Sequence, residues 1–540
     1  MSTNHALFFA TRVAALSLAR IFLRRRCAEK TERPVHKRRS LSTIGAALAC
    51  IVSSASQPAI AQSAREQGAA NMPAFASGMI KHLQAMRRFK DQDQGAQPTP
   101  KVIQKFEVDR DASGAIATFQ PGGRTFTANN AFFQNLGTNG RTCFTCHQPA
   151  NGWTVSADSV ADRFAESDGA DPIFRLVDGA TCPTADVSTL AAKRKAYKLL
   201  TGKGLIRIGL PMPDPTILEF AVTAVNDPYH CTTNPVTGLT SEMSGIVSIY
   251  RRPLPSTNLG FLSAIMWDGR EPTLTSQAID ATLGHAQADA APNAFQQSQI
   301  VAFETDLFTA QAVDEKAGRL NDSNATGGPI ALSLQLAKFF IGVNDPLGFN
   351  PTGQQFDQNI FDLFRPWLSA PDKDLRRSIA RGEDVFNTTK INITAVAGLN
   401  DVLNATGIPG FCGTCHDTPN VGNHSVKAPL NIGVADAGAK SPPVLDISGL
   451  PVFTLTCIKG PLAGQDFTVT DPGRALISGR CADIGKVKGP ILRGLAARAP
   501  YFHNGSAATL MDVVNFYDQR FSIGFTDQQK NDLVNFLNAL

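Results

Sequence analysis

Two five-residue runs contain the residues with the clearest chemical potential. One is CFTCH, from Cys143 to His147, and the other is CGTCH, from Cys412 to His416. Two cysteines at this spacing can form thioether bonds to the vinyl groups of one haem, and the adjacent histidine then reaches the iron as its proximal ligand. A zinc site needs four ligands close together, and a thioredoxin-type motif needs a βαβ unit, which the sequence does not indicate. The runs therefore predict two covalently bound haem c groups, attached and ligated by Cys143, Cys146, His147, Cys412, Cys415 and His416.

The sixth coordination position of an iron separates an electron carrier from a catalyst. A carrier fills it with Met or His, whereas an enzyme leaves it open or opens it on demand. After His147, no methionine occurs before Met212 and no histidine before His230. The sequence favours an open position at the first haem, and a distant His or Met that folds back is the alternative.

Charge is distributed unevenly along the 540 residues. The formal net charge is +5, but residues 1–61 contain ten Lys and Arg against two Glu, so the remainder is mildly acidic. A mildly acidic chain without a basic stripe gives no electrostatic reason to expect nucleic-acid binding. The composition, 43% hydrophobic and 18% charged, is that of a globular protein.

Residues 1–61 have the pattern of a secretory signal. Lys37-Arg38-Arg39 precedes the apolar, small-residue run LSTIGAALACIVSSASQPAIA, which ends in Ala59-Ile60-Ala61. We predict cleavage after Ala61, a periplasmic location and no membrane span in the mature form. In an oxidising compartment, the four cysteines outside this segment and the two runs are expected to pair as Cys182–Cys231 and Cys457–Cys481, with free thiols as the alternative.

Helical patterns outnumber strand patterns along the chain. They include 298–313 (SQIVAFETDLFTAQAV), a segment leading into the first CxxCH run, 373–387 (KDLRRSIARGEDVFN) and a C-terminal helix capped by Thr526. The sequence predicts a mainly α fold with long irregular loops. We expect an N-terminal extension at 62–109, an N-terminal haem domain at 110–370, and a C-terminal haem domain at 371–540 with an insertion at 417–480.

Two longer motifs point to a family. MWDGREPTLTSQA (266–278) and LRGLAARAPYFHNGSAATLMDVVNFY (492–517), together with the two CxxCH runs, resemble the bacterial di-haem cytochrome c peroxidase/MauG family over most of residues 110–540. The resemblance implies two cytochrome-c-like haem domains and a periplasmic enzyme. Its N-terminal haem would meet hydrogen peroxide, and its C-terminal haem would relay electrons from a small c-type cytochrome or another periplasmic donor.

The resemblance also implies roles for residues around the haems. Trp267 would be the bridge between them, fixed by the turn Asp268-Gly269-Arg270, with Arg270 bonding a haem propionate or a neighbouring carboxylate. His503 would lie near the second haem, as a functional or a structural histidine. Tyr517 occupies a position that is Met in the peroxidase branch and Tyr in the MauG branch. A phenolate ligand there would favour oxidised iron; alternatively, Tyr517 packs on its helix and Met511 or another Met ligates.

On the peroxide side of the first haem, the chain departs from the family pattern. Gln277 matches the family's distal glutamine, but the expected acid–base glutamate is Gln287, which cannot transfer a proton. His285, two residues away, can do so near neutral pH. His285 is therefore the predicted distal base, with a structural histidine as the alternative.

The family's calcium site between the haems is also altered. The positions of its Asn side chain and Thr carbonyl ligands are Arg252 and Arg498 here, so calcium is doubtful. Arg251 and Arg252 are expected to meet haem propionates, and His424 is expected to be a loop histidine.

Three functions compete with peroxide reduction. A MauG-like enzyme would oxidise a protein or organic substrate, a non-catalytic di-haem protein would only carry electrons, and a haem dioxygenase would use an open N-terminal haem, as di-haem rubber oxygenases do.

Overall fold

Short helices and short strands alternate through the part of the chain that the computed structural model describes, residues 99–231 and 245–540. The α-helices of this part are α1 Ala157–Ser167, α2 Leu190–Ala196, α3 Lys198–Lys203, α4 Leu274–Gly284, α5 Ala294–Asp306, α6 Pro329–Gln335, α7 Leu375–Thr388, α8 Ala475–Ser478, α9 Leu510–Phe521 and α10 Asp527–Asn538. None of them is long and apolar enough to cross a bilayer. The predicted signal segment, and residues 62–98 of the predicted extension, lie outside the described residues.

The strands of the described residues form small antiparallel sheets. They are β1 Val102–Ile103, β2 Phe106–Asp111, β3 Gly114–Phe119, β4 Thr125–Phe126, β5 Ile206–Pro211, β6 Phe220–Asn226, β7 Ile246–Arg251, β8 Phe308–Asp314, β9 Gly318–Arg319, β10 Ile391–Ile393, β11 Ile408–Gly410, β12 Val452–Cys457 and β13 Asp466–Val469. Their orders are β1-β4, β2-β3-β8-β9, β5-β7, β10-β11 and β13-β12-β6. With this much sheet, the prediction of a mainly α fold is not confirmed.

The segment at 298–313 shows why helical patterns overestimated the helix content. The prediction of one helix there is wrong beyond Asp306, where α5 ends, because residues 308–314 form β8 instead. Strand β8 pairs antiparallel with β3, with Ala310 opposite Ala117, and both side chains are buried. The partner strand is almost two hundred residues away, so tertiary pairing overrides the local pattern. The predicted helix before the first CxxCH run is likewise reduced to short 3-10 turns at Thr127–Asn129 and Ala131–Phe133.

Other local predictions are confirmed. Helix α7 covers the predicted segment at 373–387, and the Thr526 side chain caps α10 by accepting a hydrogen bond from the Gln529 amide. Both predicted disulfides, Cys182–Cys231 and Cys457–Cys481, are present.

One sheet connects the two predicted domains. Strands β12 and β13 belong to the predicted insertion at 417–480, and β12 pairs with β6 of the preceding domain, from Val452 opposite Asn226 to Cys457 opposite Phe220. Side chains from β5, β6, β7 and β12 form one buried cluster behind this sheet. The insertion is therefore packed on the N-terminal part of the molecule, while the domain boundaries themselves stay predictions.

A second core holds the C-terminal helices together. Phe361, Phe386 and Phe536 pack edge to face, with ring centroids 5.2 to 5.8 Å apart. Helices α7 and α10 approach so closely that a Cβ at Gly382 would lie 2.0 Å from the Asp532 carbonyl oxygen. Only glycine permits this approach, which supports the loop that carries the second CxxCH run.

We predict opposite effects for two Gly→Ala substitutions in helices. Gly382→Ala should destabilise the protein by about 1–3 kcal/mol through overpacking. Gly202→Ala in α3, where an added Cβ meets nothing within 4 Å, should stabilise it by about 0.5–1 kcal/mol. Urea unfolding of both variants checks this, and equal shifts of the midpoint would contradict the close packing of α7 on α10.

Candidate functional site

The first CxxCH run is held as a tight turn. Residues Cys143–Thr145 form a 3-10 helix that is closed by a capping box between Thr142 and Thr145. The His147 Nδ1 atom lies 2.8 Å from the Trp153 carbonyl oxygen and 3.0 Å from the Ser256 hydroxyl. A carbonyl can only accept a hydrogen bond, so Nδ1 carries the proton and Nε2 is left to bind a metal. Burial lowers the pKa of His147 to about 4, so the ring is neutral at pH 7.

The second run repeats this geometry. Residues Cys412–Thr414 form a 3-10 helix, and the His416 Nδ1 atom lies 2.6 Å from the Gly422 carbonyl oxygen. Burial lowers the pKa of His416 as well. The four cysteines of the two runs are the free cysteines of the described residues. Both runs therefore offer two thiols and one oriented imidazole, the donor set of haem c.

Each run opens into a large cleft. We call the cleft around His147, with a volume of about 1600 Å³, the first cleft, and the cleft around His416, with a volume of about 1730 Å³, the second cleft. Predicted site residues lining the first are Trp267, Arg270, Gln277 and His285. Those lining the second are Trp267, Arg252, His503 and Tyr517. Each cleft is large enough for a haem.

Trp267 lines both clefts, and backbone contacts fix it there. Its indole Nε1 donates to the Arg252 carbonyl oxygen over 2.8 Å, and its own carbonyl accepts from the Lys488 amide, also over 2.8 Å. The His503 ring packs edge to face against the indole, with centroids 6.0 Å apart. The structure thus brings together the predicted bridge and the predicted histidine of the second site.

A buried ionic network anchors the segment that carries Trp267. Arg251 donates to Asp268 over 2.5 Å and binds Asp471 in bidentate fashion over 2.6 and 2.9 Å. Arg270 donates to both Asp268 oxygens at 3.0 Å, so it bonds the neighbouring carboxylate, one of its two predicted partners. Burial alone would raise the pKa of Asp268, but the two guanidinium groups hold it well below its usual range. Arg251 is thus engaged by two carboxylates, and its contact with a haem propionate stays a prediction.

Three other cations, the buried Arg252 and Lys488 and the partly buried Arg498, line both clefts and lack such carboxylates. Burial lowers the pKa of Arg252 to about 9, of Lys488 to about 8 and of Arg498 to about 10. In the described part of the chain, no ion pair joins any of the three to an acidic side chain. Buried charge without a counter-ion is costly, and haem propionates would supply the missing anions between the clefts. This charge excess, with the two donor sets, fits haem c.

The two residues at the altered calcium positions, Arg252 and Arg498, are hydrogen-bonded to each other. The Arg252 guanidinium donates to the Arg498 carbonyl oxygen over 2.8 Å and to the Val155 carbonyl oxygen over 2.6 Å. Across the described residues, no group of three or more His, Cys, Asp or Glu is arranged to hold a metal ion. The expectation that calcium is doubtful stays a prediction.

His285 lies at the C-terminal end of α4 and lines the first cleft. Its Nδ1 atom is 2.6 Å from Asp178 Oδ2, and the other carboxylate oxygen accepts from Arg141 over 2.5 Å. Burial would raise the pKa of Asp178, but Arg141 and His285 lower it, so the carboxylate is ionised. The side chain of His285 is 40% exposed, which leaves its second nitrogen accessible.

The two predicted glutamines differ in their surroundings. Gln277 lines the first cleft beside His285. Gln287 is buried, accepts a hydrogen bond from Asn139 over 3.1 Å, and is not among the described residues that line either cleft. Its catalytic assignment stays a prediction that the geometry does not favour. Met266 also lines the first cleft. Among the described residues, Met266 and His285 are therefore the candidates for a sixth ligand to the first iron, the alternative to an open position.

In the second cleft, Tyr517 projects from α9 among the haem-binding residues. Burial raises the pKa of Tyr517, and the nearby Cys415 and Cys412 sulfurs add to this effect. The competing ligand Met511 is not among the described residues that line this cleft. His424 lines it too, but its Nδ1 atom faces Asp417 at 3.2 Å in the loop after the second run, as expected for a loop histidine.

Sequence reasoning missed several supporting residues. Asp178 holds His285 from 107 positions away, and Ser256 contacts His147 from 109 positions away. Glu304 lines the first cleft and interacts with Ser256, and burial raises its pKa to about 7. Lys488 stands over the Trp267 ring at 5.8 Å. No local pattern marks these residues, because each acts through a partner that only the fold brings near.

We predict that Arg251→Met destabilises the protein by about 3–5 kcal/mol, because Asp268 and Asp471 would remain buried without their shared cation. Arg110→Met, at an exposed position on β2, should change the stability by less than about 0.5 kcal/mol. Denaturant unfolding at neutral pH checks both variants. Equal stability of the two variants would contradict a structural role for the network.

Comparisons with known proteins give short matches. A family model described as RoxA-like, cytochrome c-like matches residues 487–523. The cytochrome-c peroxidase IdrP1 of Denitromonas iodatirespirans is 42% identical over 69 residues, 11% of this chain and 18% of that protein. The IdrP1 protein of Pseudomonas sp. (strain SCT) is 35% identical over 81 residues, 13% of this chain and 21% of that protein. The chain spans about a fifth of the length of these curated relatives.

A solved structure of a MauG-like protein associated with microbial copper homeostasis aligns with 55% of this chain and 75% of its own, at 17% identity and a TM-score of 0.28. That score is too low to establish a common fold. The family model covers the motif at 492–517. This match and the short curated matches support the resemblance to the bacterial di-haem cytochrome c peroxidase/MauG family.

Proposed function

We propose that this protein is a periplasmic di-haem c-type oxidoreductase that reduces hydrogen peroxide. Electrons come from a small c-type cytochrome or another periplasmic donor and pass from the second cleft to the first. The observation that carries the proposal is the placement of Trp267, whose side chain lines both CxxCH clefts. The bound haem irons supply the redox chemistry, and the residues around them direct electrons and protons.

Trp267 connects the clefts electronically. Its indole is buried and fixed by the hydrogen bond to the Arg252 carbonyl. A rigid aromatic side chain at this place shortens the distance that an electron crosses between two irons. The cation cluster of Arg252, Lys488 and Arg498 favours negatively charged propionates on either side of it.

His285 handles the proton on the peroxide side. Because Asp178 accepts from Nδ1, the other nitrogen, Nε2, is the one that takes a proton from one peroxide oxygen and returns it to the other. Gln277 lines the same cleft and can donate a hydrogen bond that orients the bound peroxide. This arrangement replaces the glutamate expected from the family with a histidine and its carboxylate.

Tyr517 supports a second candidate function. A Tyr ligand at the second haem would stabilise oxidised iron and suit a MauG-like enzyme that oxidises a protein or organic substrate. The specific observation in favour is that Tyr517, and not Met511, lines the second cleft. Under this candidate, Trp267 spreads oxidising equivalents between the two sites instead of passing electrons to peroxide.

The haem content and ligation can be measured on the purified protein. We expect the pyridine haemochrome assay to give two haem c groups per chain, and one after joint Cys143→Ala and Cys146→Ala substitution. Electron paramagnetic resonance of the ferric protein should show one high-spin and one low-spin iron. Tyr517→Phe should alter only the low-spin signal, and Met511→Leu should leave both unchanged. A single haem, or two low-spin irons that do not bind cyanide even after partial reduction, would contradict the proposal and favour an electron carrier.

Peroxide turnover tests the catalytic roles. With reduced cytochrome c as donor, we expect peroxide-dependent oxidation that His285→Ala lowers by about 10²-fold or more, since general acid–base catalysis contributes that much. Trp267→Phe should slow electron transfer between the sites while leaving cyanide binding at the first intact. His230→Ala, outside both clefts, is the control. Absence of turnover together with oxygen uptake on a polyisoprenoid would point to a dioxygenase, and oxidation of another substrate by peroxide would point to the MauG-like candidate.

A further inference from the structure

A smaller pocket adjoins the first cleft. This side pocket has a volume of about 550 Å³ and shares Met266, Gln277 and His285 with the first cleft. Two carboxylates, Glu271 and Asp280, line the side pocket but not the first cleft. The pocket has room for water, and the charged side chains that line it can hydrogen-bond to water. The titratable groups that line it are Asp178, Arg207, Arg270, Glu271, Asp280 and His285.

The carboxyl groups of Glu271 and Asp280 line the same pocket and interact with each other. Two adjacent carboxylates repel each other when both are ionised, which favours a proton on one of them. Burial, and then the hydrogen bond and charge of Asp280, raise the pKa of Glu271. Glu271 is 6% exposed, whereas Asp280 is only partly buried, so the pair joins the interior to solvent.

The acidic groups of the pocket divide into two kinds. Asp178 is ionised, because Arg141 and His285 bind it. The Glu271–Asp280 pair instead retains a proton. When their environments move the pKa values of neighbouring carboxyl groups in opposite directions, one group stays an anion and the other can donate a proton. His285 stands between the two, since it is anchored to Asp178 and lines both cavities.

We propose that Glu271 and Asp280 form a proton reservoir that reloads His285 through the side pocket. This inference rests on the proposed peroxide reduction, in which the O–O bond breaks and H₂O₂, two electrons from the donor cytochrome and two protons give two water molecules. His285 moves a proton between the peroxide oxygens, and the two protons consumed come from solvent. The carboxyl pair passes them to the side-pocket water and is itself reprotonated at the partly exposed Asp280.

The position of Asp280 on α4 supports this path. Gln277, Asp280, Ala281 and Gly284 all line the side pocket, and their spacing of three and four residues places them on one face of the helix. His285 follows directly at the end of α4. A single helix face therefore lines the pocket from Asp280 to the distal base.

The test uses the mature holoprotein with Glu271→Gln and Asp280→Asn, singly and together. Steady-state peroxide turnover with reduced cytochrome c is measured at increasing concentrations of a small weak-acid buffer, in H₂O and D₂O. We expect the double variant to turn over about tenfold more slowly or worse at low buffer, and to recover as buffer acid rises. Glu166→Gln and Asp162→Asn, exposed on α1, are matched controls and should be buffer-independent like the wild type.

Two results would overturn the reservoir. One is wild-type turnover in the double variant, and the other is a slow rate that buffer acid does not restore, because a merely structural pair would not be replaced by a diffusing acid. If the double variant does not fold, Asp280→Asn alone decides by the same criteria.

Infrared difference spectra of the oxidised and reduced protein give a readout independent of turnover. They should show the carbonyl band of a protonated carboxylic acid that Glu271→Gln removes, and its absence from the wild type would overturn the reservoir. Lack of peroxide turnover by the wild type would instead contradict the proposed function.

Discussion

The two backbone hydrogen bonds that hold Trp267 are the constraint on which the rest of the site depends. One joins its indole to the Arg252 carbonyl, and the other joins its own carbonyl to the Lys488 amide. Residues 252 and 488 come from opposite halves of the chain, so these bonds tie both halves to one aromatic ring. The clefts meet at that ring because the chain segments that line them, 251–259 and 488–498, converge on it.

Charge around the ring is balanced on one side and unbalanced on the other. Arg251 and Arg270 are matched by Asp268 and Asp471, which makes the network self-contained and rigid. The cluster of Arg252, Lys488 and Arg498 has no such acidic partners among the described residues. Cations desolvated in this way favour the binding of anions, and two propionates per haem would supply them.

The proposed electron and proton routes reach the first cleft from different sides. Electrons arrive through Trp267, at the boundary with the second cleft. Protons arrive through the side pocket, which is lined by Glu271, Asp280 and His285. Separation of the two routes lets the chain fix the tryptophan rigidly while keeping a hydrated pocket at the distal base.

The sequence by itself determined the parts whose chemistry is local. The CxxCH runs predicted two oriented histidines because cysteine spacing and ligand are contained in five residues, and the Thr526 cap and helix α7 followed from short-range patterns. The motif around Trp267 predicted the residue that lines both clefts, and its role as a bridge is a proposal. Only the tertiary structure decided the partners of these residues: Asp178 on His285, Ser256 on His147, and the pairing of β8 with β3 in place of a longer helix. Such contacts join residues more than a hundred positions apart, and no periodicity of the chain records them, because their energy arises only when distant segments are desolvated together.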